Sequence, residues 1–276
     1  MNGKLYLVPT PIGNLSDMTF RAVDVLKKVN LILAEDTRVS KKLLNHFEIE
    51  TRMEAFHEHN QSEKLPKVIA LLKKTDLALI SDAGSPGISD PGYELVKACI
   101  TTGIEVVPLP GPTAFVPALT ASGLPSNAFT FLGFLPKKKA AREQILSEYS
   151  KSRMTLIFYE SPYRILETLE ELLTILGNRN ICIAREISKK FESFYYLNLE
   201  DALSSLRDER VAGEIVLVVG GVEKDSEIWD TDKVKQALQK EVETGQSLSS
   251  AAKSVASMSG WKKSVIYEMG LEKDSN

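Results

Sequence analysis

Cysteine is scarce in this chain: Cys99 and Cys182 stand far apart and without CxxC spacing. That excludes a disulfide framework and a zinc ribbon, and it suits a reducing compartment. No apolar stretch approaches the roughly 18 residues of a membrane span, and no signal-like apolar region follows Met1-Asn2-Gly3-Lys4. A cytoplasmic protein with no membrane partner is expected. Neither sign of charge dominates, since 34 Lys+Arg against 37 Asp+Glu leave a formal charge of −3. A polybasic coat for nucleic acid is therefore ruled out, and any polyanion must be met by a local patch.

Several chemical motifs are missing too. There is no GxGxxG after the first strand-like run and no GxxxxGK[ST], so a dinucleotide or P-loop cradle has no support. Gly84-Ser85-Pro86-Gly87 lacks the spacing of a GxSxG nucleophile elbow. His57-Glu58-His59 is not HExxH and has no third ligand at suggestive spacing, so no metal is expected.

What is present is apolar chain in quantity. At 276 residues, 43% hydrophobic and 26% charged, the sequence has enough for two domain cores. Short runs at Leu5–Val8, Leu31–Ala34, Leu77–Ile80 and Ile104–Val107 read as buried strands. Between them, Thr19–Val29, Val39–Phe47, Ser62–Lys73 and Tyr93–Thr101 carry helical patterns. This alternation is that of βαβ units around a largely parallel sheet. A second cycle begins near Phe129, with strands at Phe129–Phe134, Thr155–Tyr159, Ile181–Ala184 and Ile215–Val219. Within it, Tyr163–Leu176 reads as a helix stopped by Gly177, and Phe194–Leu197 as an antiparallel strand near an edge. After Gly220-Gly221 the strand signals cease, and Asp232–Glu243 and Leu248–Met258 look helical. The expected organisation is α/β: a first α/β domain over residues 1–122, a second over 123–222, and a helical tail over 223–276.

Ligands of open α/β sheets bind beyond the carboxyl ends of the strands. The unusual residues cluster there: Pro9-Thr10-Pro11-Ile12-Gly13-Asn14, Glu35-Asp36-Thr37-Arg38, the loop from Ser81 to Gly92, and Pro108-Leu109-Pro110-Gly111-Pro112-Thr113-Ala114. Glycine and proline punctuate any single loop, but several such loops at one sheet edge point to a shaped ligand site. Asp82 reads as a ligand carboxylate. Asp90 reads equally as a ligand contact or as the N-cap of a helix with Pro91 at its first position. His57 is either a polar contact in the cleft or a satisfied loop histidine.

These loops, with Gly133-Phe134-Leu135-Pro136, Tyr159-Glu160-Ser161-Pro162 and Arg185-Glu186-Ile187-Ser188-Lys189 following in order, resemble the bacterial 16S ribosomal RNA cytidine 2′-O-methyltransferase I family, a branch of the tetrapyrrole methylase superfamily. The resemblance runs to Gly221. It implies a bilobal tetrapyrrole methylase-like fold, a homodimer, and S-adenosylmethionine (SAM) held between the two α/β domains. It also implies methyl transfer to the ribose 2′-hydroxyl of a cytidine in the decoding region of 16S rRNA, within the 30S subunit. The matched motifs place the cofactor against Pro9, Thr10, Asp82, Gly84, Ser85, Ile88, Ser89, Asp90, Thr113 and Ala114, and against Phe131, Ser161, Glu214 and Ile215 of the second domain. Candidates for a general base are Glu35, Asp36, His57 and Lys189, the last only with a strongly depressed pKa.

Two basic patches suit a phosphate-lined contact in a chain of negative net charge. The first is Lys137, Lys138, Lys139 and Arg142; Arg38 joins it as an RNA-contact candidate. The second lies in the tail, where Lys253, Lys262 and Lys263 sit among residues 247–267 without an acid, on two short helices around a glycine turn, a helix-turn-helix-like layout. The tail could equally buttress the second domain or the dimer. Two rival readings are a tetrapyrrole C-methyltransferase, which has no use for basic patches, and a helix-turn-helix nucleic-acid-binding regulator, which has no use for the loop set.

Overall fold

The chain opens with β1 (Lys4–Leu7), α1 (Phe20–Lys28), β2 (Leu31–Ala34), α2 (Thr37–His46) and β3 (Met53–Ala55). It continues with α3 (Gln61–Leu72), β4 (Leu77–Ile80), α4 (Tyr93–Thr101), β5 (Glu105–Pro108) and α5 (Phe115–Ala121). The computed structural model describes residues 2–207, 211–222, 229–259 and 261–271. The first five strands form one sheet in the order β3-β2-β4-β1-β5, with every pairing parallel. Strand side chains alternate between two cores, as a two-faced sheet requires. Ala78 and Ile80 of β4 pack with Ala22 and Leu26 of α1 and Leu44 of α2. Leu77 and Leu79 face Val68 and Leu72 of α3 and Leu95 and Cys99 of α4. The chain thus leaves β1 and β4, neighbours in the sheet, toward opposite faces. Their carboxyl ends border the crevice where such sheets bind ligands.

The second half comprises β6 (Phe129–Phe134), α6 (Lys139–Glu148), β7 (Thr155–Glu160), α7 (Ile165–Leu176), β8 (Asn180–Arg185), β9 (Ser193–Asn198), α8 (Leu199–Leu206) and β10 (Ile215–Val219). The strand–helix alternation recurs here, but the pairing does not: only β6 and β7 run parallel, and β10 pairs antiparallel with both β7 and β8. β9 is the antiparallel edge strand in the order β6-β7-β10-β8-β9. One face packs on α6, α7 and α8 through Leu146, Leu169, Leu172 and Leu203. The other, with Ile157, Cys182, Ala184 and Val218, takes Ala118 and Leu119 of α5 together with Ile12, Phe115 and Phe131. α5 and the first loop of the chain therefore sit on the second sheet, and the first sheet's ligand edge faces it.

Residues Met1–Val222 form one compact unit and Glu223–Asn276 another. The latter contains α9 (Thr231–Glu243), α10 (Leu248–Ser259) and α11 (Lys263–Leu271) around Val234, Leu238, Ala252, Val255 and Ile266. The Trp261 indole N–H donates to the Trp229 carbonyl at 2.7 Å. Gly260, the glycine of the expected turn, lies outside the described residues. No helix among the described residues is long and apolar enough to cross a membrane.

Candidate active site

Three loops at the carboxyl edge of the first sheet are laced together by backbone and hydroxyl hydrogen bonds. Thr10 and Gly84 exchange N–H···O bonds of 2.9 Å in both directions. The buried Thr10 hydroxyl donates to the Ser81 carbonyl at 3.0 Å, and Ser85 Oγ donates to the Pro112 carbonyl at 3.0 Å. Pro9 lies so close to Gly111 that a Cβ there would stand 2.7 Å from the proline Cβ. The loop itself turns through left-handed backbone at Gly84, Gly87 and Ser89. Glycine adopts this conformation without cost, whereas Ser89 is held there by its surroundings. Pro9 and Thr10 are thus the buried floor of the site, while Ile88 and Ser89 lie on its surface.

Four carboxyls meet at this edge. Asp82 Oδ1 accepts the Asp36 N–H at 3.0 Å, and burial outweighs that bond to raise the Asp82 pKa. Burial, followed by the Asp82 charge, also raises Glu35. Asp90 is pushed up to about 6, first by burial and then by Glu35, with the Ser81 hydroxyl partly opposing. Asp36 goes the other way: it caps α2 by accepting the Arg38 N–H at 2.8 Å and pairs with the Arg38 guanidinium, which holds its carboxyl well below the usual range. That engagement makes Asp36 a capping residue and a poor proton acceptor.

Glu35, His57, His59, Ser89, Asp90 and Tyr93 share one cavity of about 550 Å³. His57 Nδ1 is buried in it with no hydrogen-bond partner among the described residues, and Nε2 stands 3.1 Å from Asn60 Nδ2. Among those residues no group of three or more His, Cys, Asp or Glu is arranged to hold a metal ion.

The N-cap reading of Asp90 is overturned. α4 begins at Tyr93 with Gly92 as its cap, at φ 146°, and no side chain caps it. Pro91 is accordingly not a helical residue, and Asp90 instead lines the cavity with its carboxyl beside the Ser81 hydroxyl.

A second cavity, of about 460 Å³, lies between the lobes, with Ile12, Asp17 and Thr113 on one side and Ile187, Ser188 and Glu192 on the other. The Ser188 hydroxyl donates to Asp17 across it. Next in the chain to Val116 and Pro117, which also line it, Phe115 stacks on Phe131 at 4.7 Å, and Phe131 meets Tyr159 edge-on at 5.0 Å. Burial raises the Tyr159 pKa, opposed by hydrogen bonds from Thr113 and the backbone of Phe115 and Ala114. Nothing in the sequence signalled that Tyr159 and Phe115 would cluster with Phe131 and Thr113, although Tyr159 stood in a motif already singled out. Of the expected cofactor contacts, Ser89 and Asp90 line the first cavity and Thr113 the second, whereas Pro9, Thr10, Asp82, Gly84, Ser85, Ile88, Ala114, Phe131, Ser161, Glu214 and Ile215 line neither; Ser161 Oγ accepts the Tyr163 N–H, and Ile215 is buried in β10.

Lys189 is corrected as a base candidate. Burial pulls its ammonium down, but Glu186 at 2.8 Å and Glu214 at 3.2 Å outweigh it and the net shift is upward. Arg142 is corrected as an RNA contact. Its side chain is only 2% exposed, and its guanidinium grips both oxygens of Glu171 at 2.7 Å. Spacing within a basic run concealed this, because the partner carboxylates, Glu167 and Glu171, stand one turn apart on α7. Arg38, Lys137, Lys138 and Lys139 are exposed in the first unit, and Lys253, Lys262 and Lys263 in the second.

The profile of the Tetrapyrrole (Corrin/Porphyrin) Methylases matches residues 4–203. Uroporphyrin-III-C-methyltransferase from Thermus thermophilus superposes with a TM-score of 0.56 at 22% identity, over 79% of this chain and 94% of that one, which establishes the fold. Proteins named ribosomal RNA small subunit methyltransferase I are much nearer in sequence. That of Halalkalibacterium halodurans is 47% identical over 97% of this chain and 94% of its own length. Those of Vibrio cholerae and Escherichia coli O157:H7 are 46% and 43% identical, covering 97% and 98% of this chain and 94% and 95% of theirs. A matched profile over both α/β lobes and near full-length relatives at this identity show that the chain belongs to the tetrapyrrole methylase family, in the branch of the small-subunit ribosomal RNA methyltransferases I.

Proposed function

We propose that this chain is a SAM-dependent methyltransferase acting on the ribose 2′-hydroxyl of a cytidine in the decoding region of 16S rRNA. The observation that carries the reading is the cavity beyond the carboxyl ends of β2, β3 and β4, lined by Glu35, His57 and Asp90. The site suits such a donor on its own chemistry. Gly84 leaves a buried backbone free of a side chain, and Asp82 and Asp90 offer negative charge to a sulfonium. Thr10, Asp82, Ser85, Thr113, Ala114 and Phe131, the residues of the matched motifs around these loops, would hold it. When bound, SAM supplies an electrophilic methyl group on sulfur, which leaves as a neutral thioether once the methyl has passed to oxygen.

The chain's own work is positioning and proton handling. A ribose hydroxyl must lose its proton as the new C–O bond forms. Glu35 and Asp90 are carboxyls whose affinity for a proton has been raised, which is what a general base requires. His57, lining the same cavity, is the third candidate. Asp36 and Lys189 act by holding loops. Lys137, Lys138 and Lys139, and the tail lysines Lys253, Lys262 and Lys263, supply phosphate contacts that orient the RNA without reading its sequence. The same reading carries a homodimer that works on the 30S subunit. Relatives named for ribosomal RNA at 43–47% identity, against 22% for the porphyrin enzyme, favour RNA over a tetrapyrrole.

The test is transfer of label from methyl-labelled SAM to 30S subunits, followed by nucleotide-level mapping of 2′-O-methylation. A labelled cytidine in the decoding region is expected. Labelling confined to a base, or to a copurified pigment, would refute the assignment.

A further inference from the structure

The turn carrying Lys137, Lys138 and Lys139 is held from beneath in an unusual way. Arg142 donates to the carbonyls of Lys137 at 2.7 Å and Pro136 at 3.3 Å, and its remaining nitrogens are taken by Glu171 and Glu167. Arg164 donates to the carbonyls of Leu135 and Pro136, each at 3.3 Å. Two largely buried guanidinium groups thus draw the turn's carbonyls inward, and the three lysine side chains point to solvent. Lys139 reaches Glu143 at 3.8 Å, while Lys137 and Lys138 make no ion pair among the described residues. A hydrophobic plug would hold a loop against the body at lower desolvation cost. What the arginines add is a fixed backbone.

The same segments expose two aromatic rings. Phe134, the last residue of β6, is 59% exposed, and Tyr163, just ahead of α7, is 97% exposed. Single exposed apolar residues are ordinary on protein surfaces. Here, however, the Arg164 bonds stitch the segment after Tyr163 to the segment after Phe134. Phe134 also touches Tyr159 edge-on at 5.4 Å, one ring away from Thr113 and the cofactor side of the site. Gly133, beside Phe134, passes so near Ser89 that a Cβ would stand 2.9 Å from its hydroxyl. The platform therefore borders the loop from Ser81 to Gly92.

We propose that Phe134, Tyr163 and the Lys137–Lys139 turn form one platform for an unpaired stretch of RNA beside the reacting nucleotide, with the rings stacking on bases and the lysines meeting phosphates. Arg142 and Arg164 are its positioning residues. Aromatic faces with interleaved lysines are how single strands are gripped without sequence readout. The platform rests on the reading that the substrate is RNA, and it assigns a role in substrate capture to residues that do not touch the cofactor.

The test uses the full chain and 30S subunits prepared without this methyl mark. Tyr163→Ala, at a fully solvated position, is expected to raise the KM for 30S about 5- to 150-fold, the range for one lost base stack, with kcat and SAM affinity retained. Lys137→Gln with Lys138→Gln is expected to flatten the salt dependence of 30S binding by about 0.7 in log–log slope per lysine. Arg142→Lys, which keeps the charge and loses the fork, is expected to raise the same KM at unchanged SAM affinity. If the wild type methylates 30S and the Tyr163 and lysine variants match it in KM and slope, the platform is overturned while the RNA reading stands. If the wild type labels no RNA at all, both fall.

Discussion

Arg142→Met removes one partner of a buried pair and leaves the other behind. Glu171 is 7% exposed and accepts two 2.7 Å bonds from the guanidinium; no other cation pairs with it among the described residues. Stranding a buried charge in this way costs about 3–5 kcal/mol. The second carboxylate, Glu167, is 55% exposed and adds little, since solvent can take over its charge. In a body the size of Met1–Val222, each kcal/mol lowers the melting temperature by roughly 2–4 °C, so the expected loss is about 6–20 °C. Calorimetric melts and urea titrations at neutral pH read it directly. Arg142→Met combined with Glu171→Leu removes both charges and should recover most of the loss, because a matched apolar pair needs no desolvation. A single variant melting within about 2 °C of wild type would show that water already reaches Glu171, and the account of a buried pair would fail.

Asp90→Asn should be pH-dependent in a particular sense. The Asp90 carboxyl binds its proton more tightly in the fold, at about 6 against 3.8 when unfolded, so its stabilising contribution is complete below 3.8 and is lost as pH rises through 6. The amide escapes that cost: the variant should exceed wild type by roughly 1 kcal/mol above pH 6, discounted for partial solvation, and match it near pH 4. A stability difference that is flat across pH would contradict the shift, and methyl transfer should fall in the same variant. Gly133→Ala should cost about 1–2 kcal/mol, because residue 133 sits at φ 60° and its new Cβ meets the Ser89 hydroxyl. Unchanged melting and unchanged SAM affinity by calorimetry would show that Ser89 yields freely.

The parallel first sheet was legible because its inner strands are short apolar runs between amphipathic helices, and Leu31–Ala34 and Leu77–Ile80 carry buried residues at every position. β3 was not, since Met53–Ala55 offers three half-buried residues and one of them is Glu54. α5 was hidden by Pro117 and by the proline-rich loop before it, and its burial depends on a sheet that comes later in the chain. The antiparallel pairing of β10 is likewise invisible to local pattern, because Ile215–Val219 would look the same running either way. At the site, the loops could be located from their glycines and prolines, and the carboxyls were found because they stood in those loops. What separated Asp36 from Asp90 was a cap and an arginine on one, burial beside Glu35 on the other, and neither is encoded in spacing. Arg142 misled for a related reason: three exposed lysines precede it, and only the return of α7 supplies its partners.

The seating of α5 on the second sheet also sets where this protein can be divided. The connector at Gly123-Leu124-Pro125 looks like a natural cut, yet a fragment ending there would carry Ala118 and Leu119 away from the sheet residues Ile157, Cys182 and Val218 that bury them. One half would display an unsatisfied apolar helix and the other a bare sheet face. A split protein designed to reassemble on demand should instead be opened ahead of Ala114, leaving α5 with its sheet. Cut after α5, the two pieces would each hold half of one hydrophobic contact and should find one another unaided.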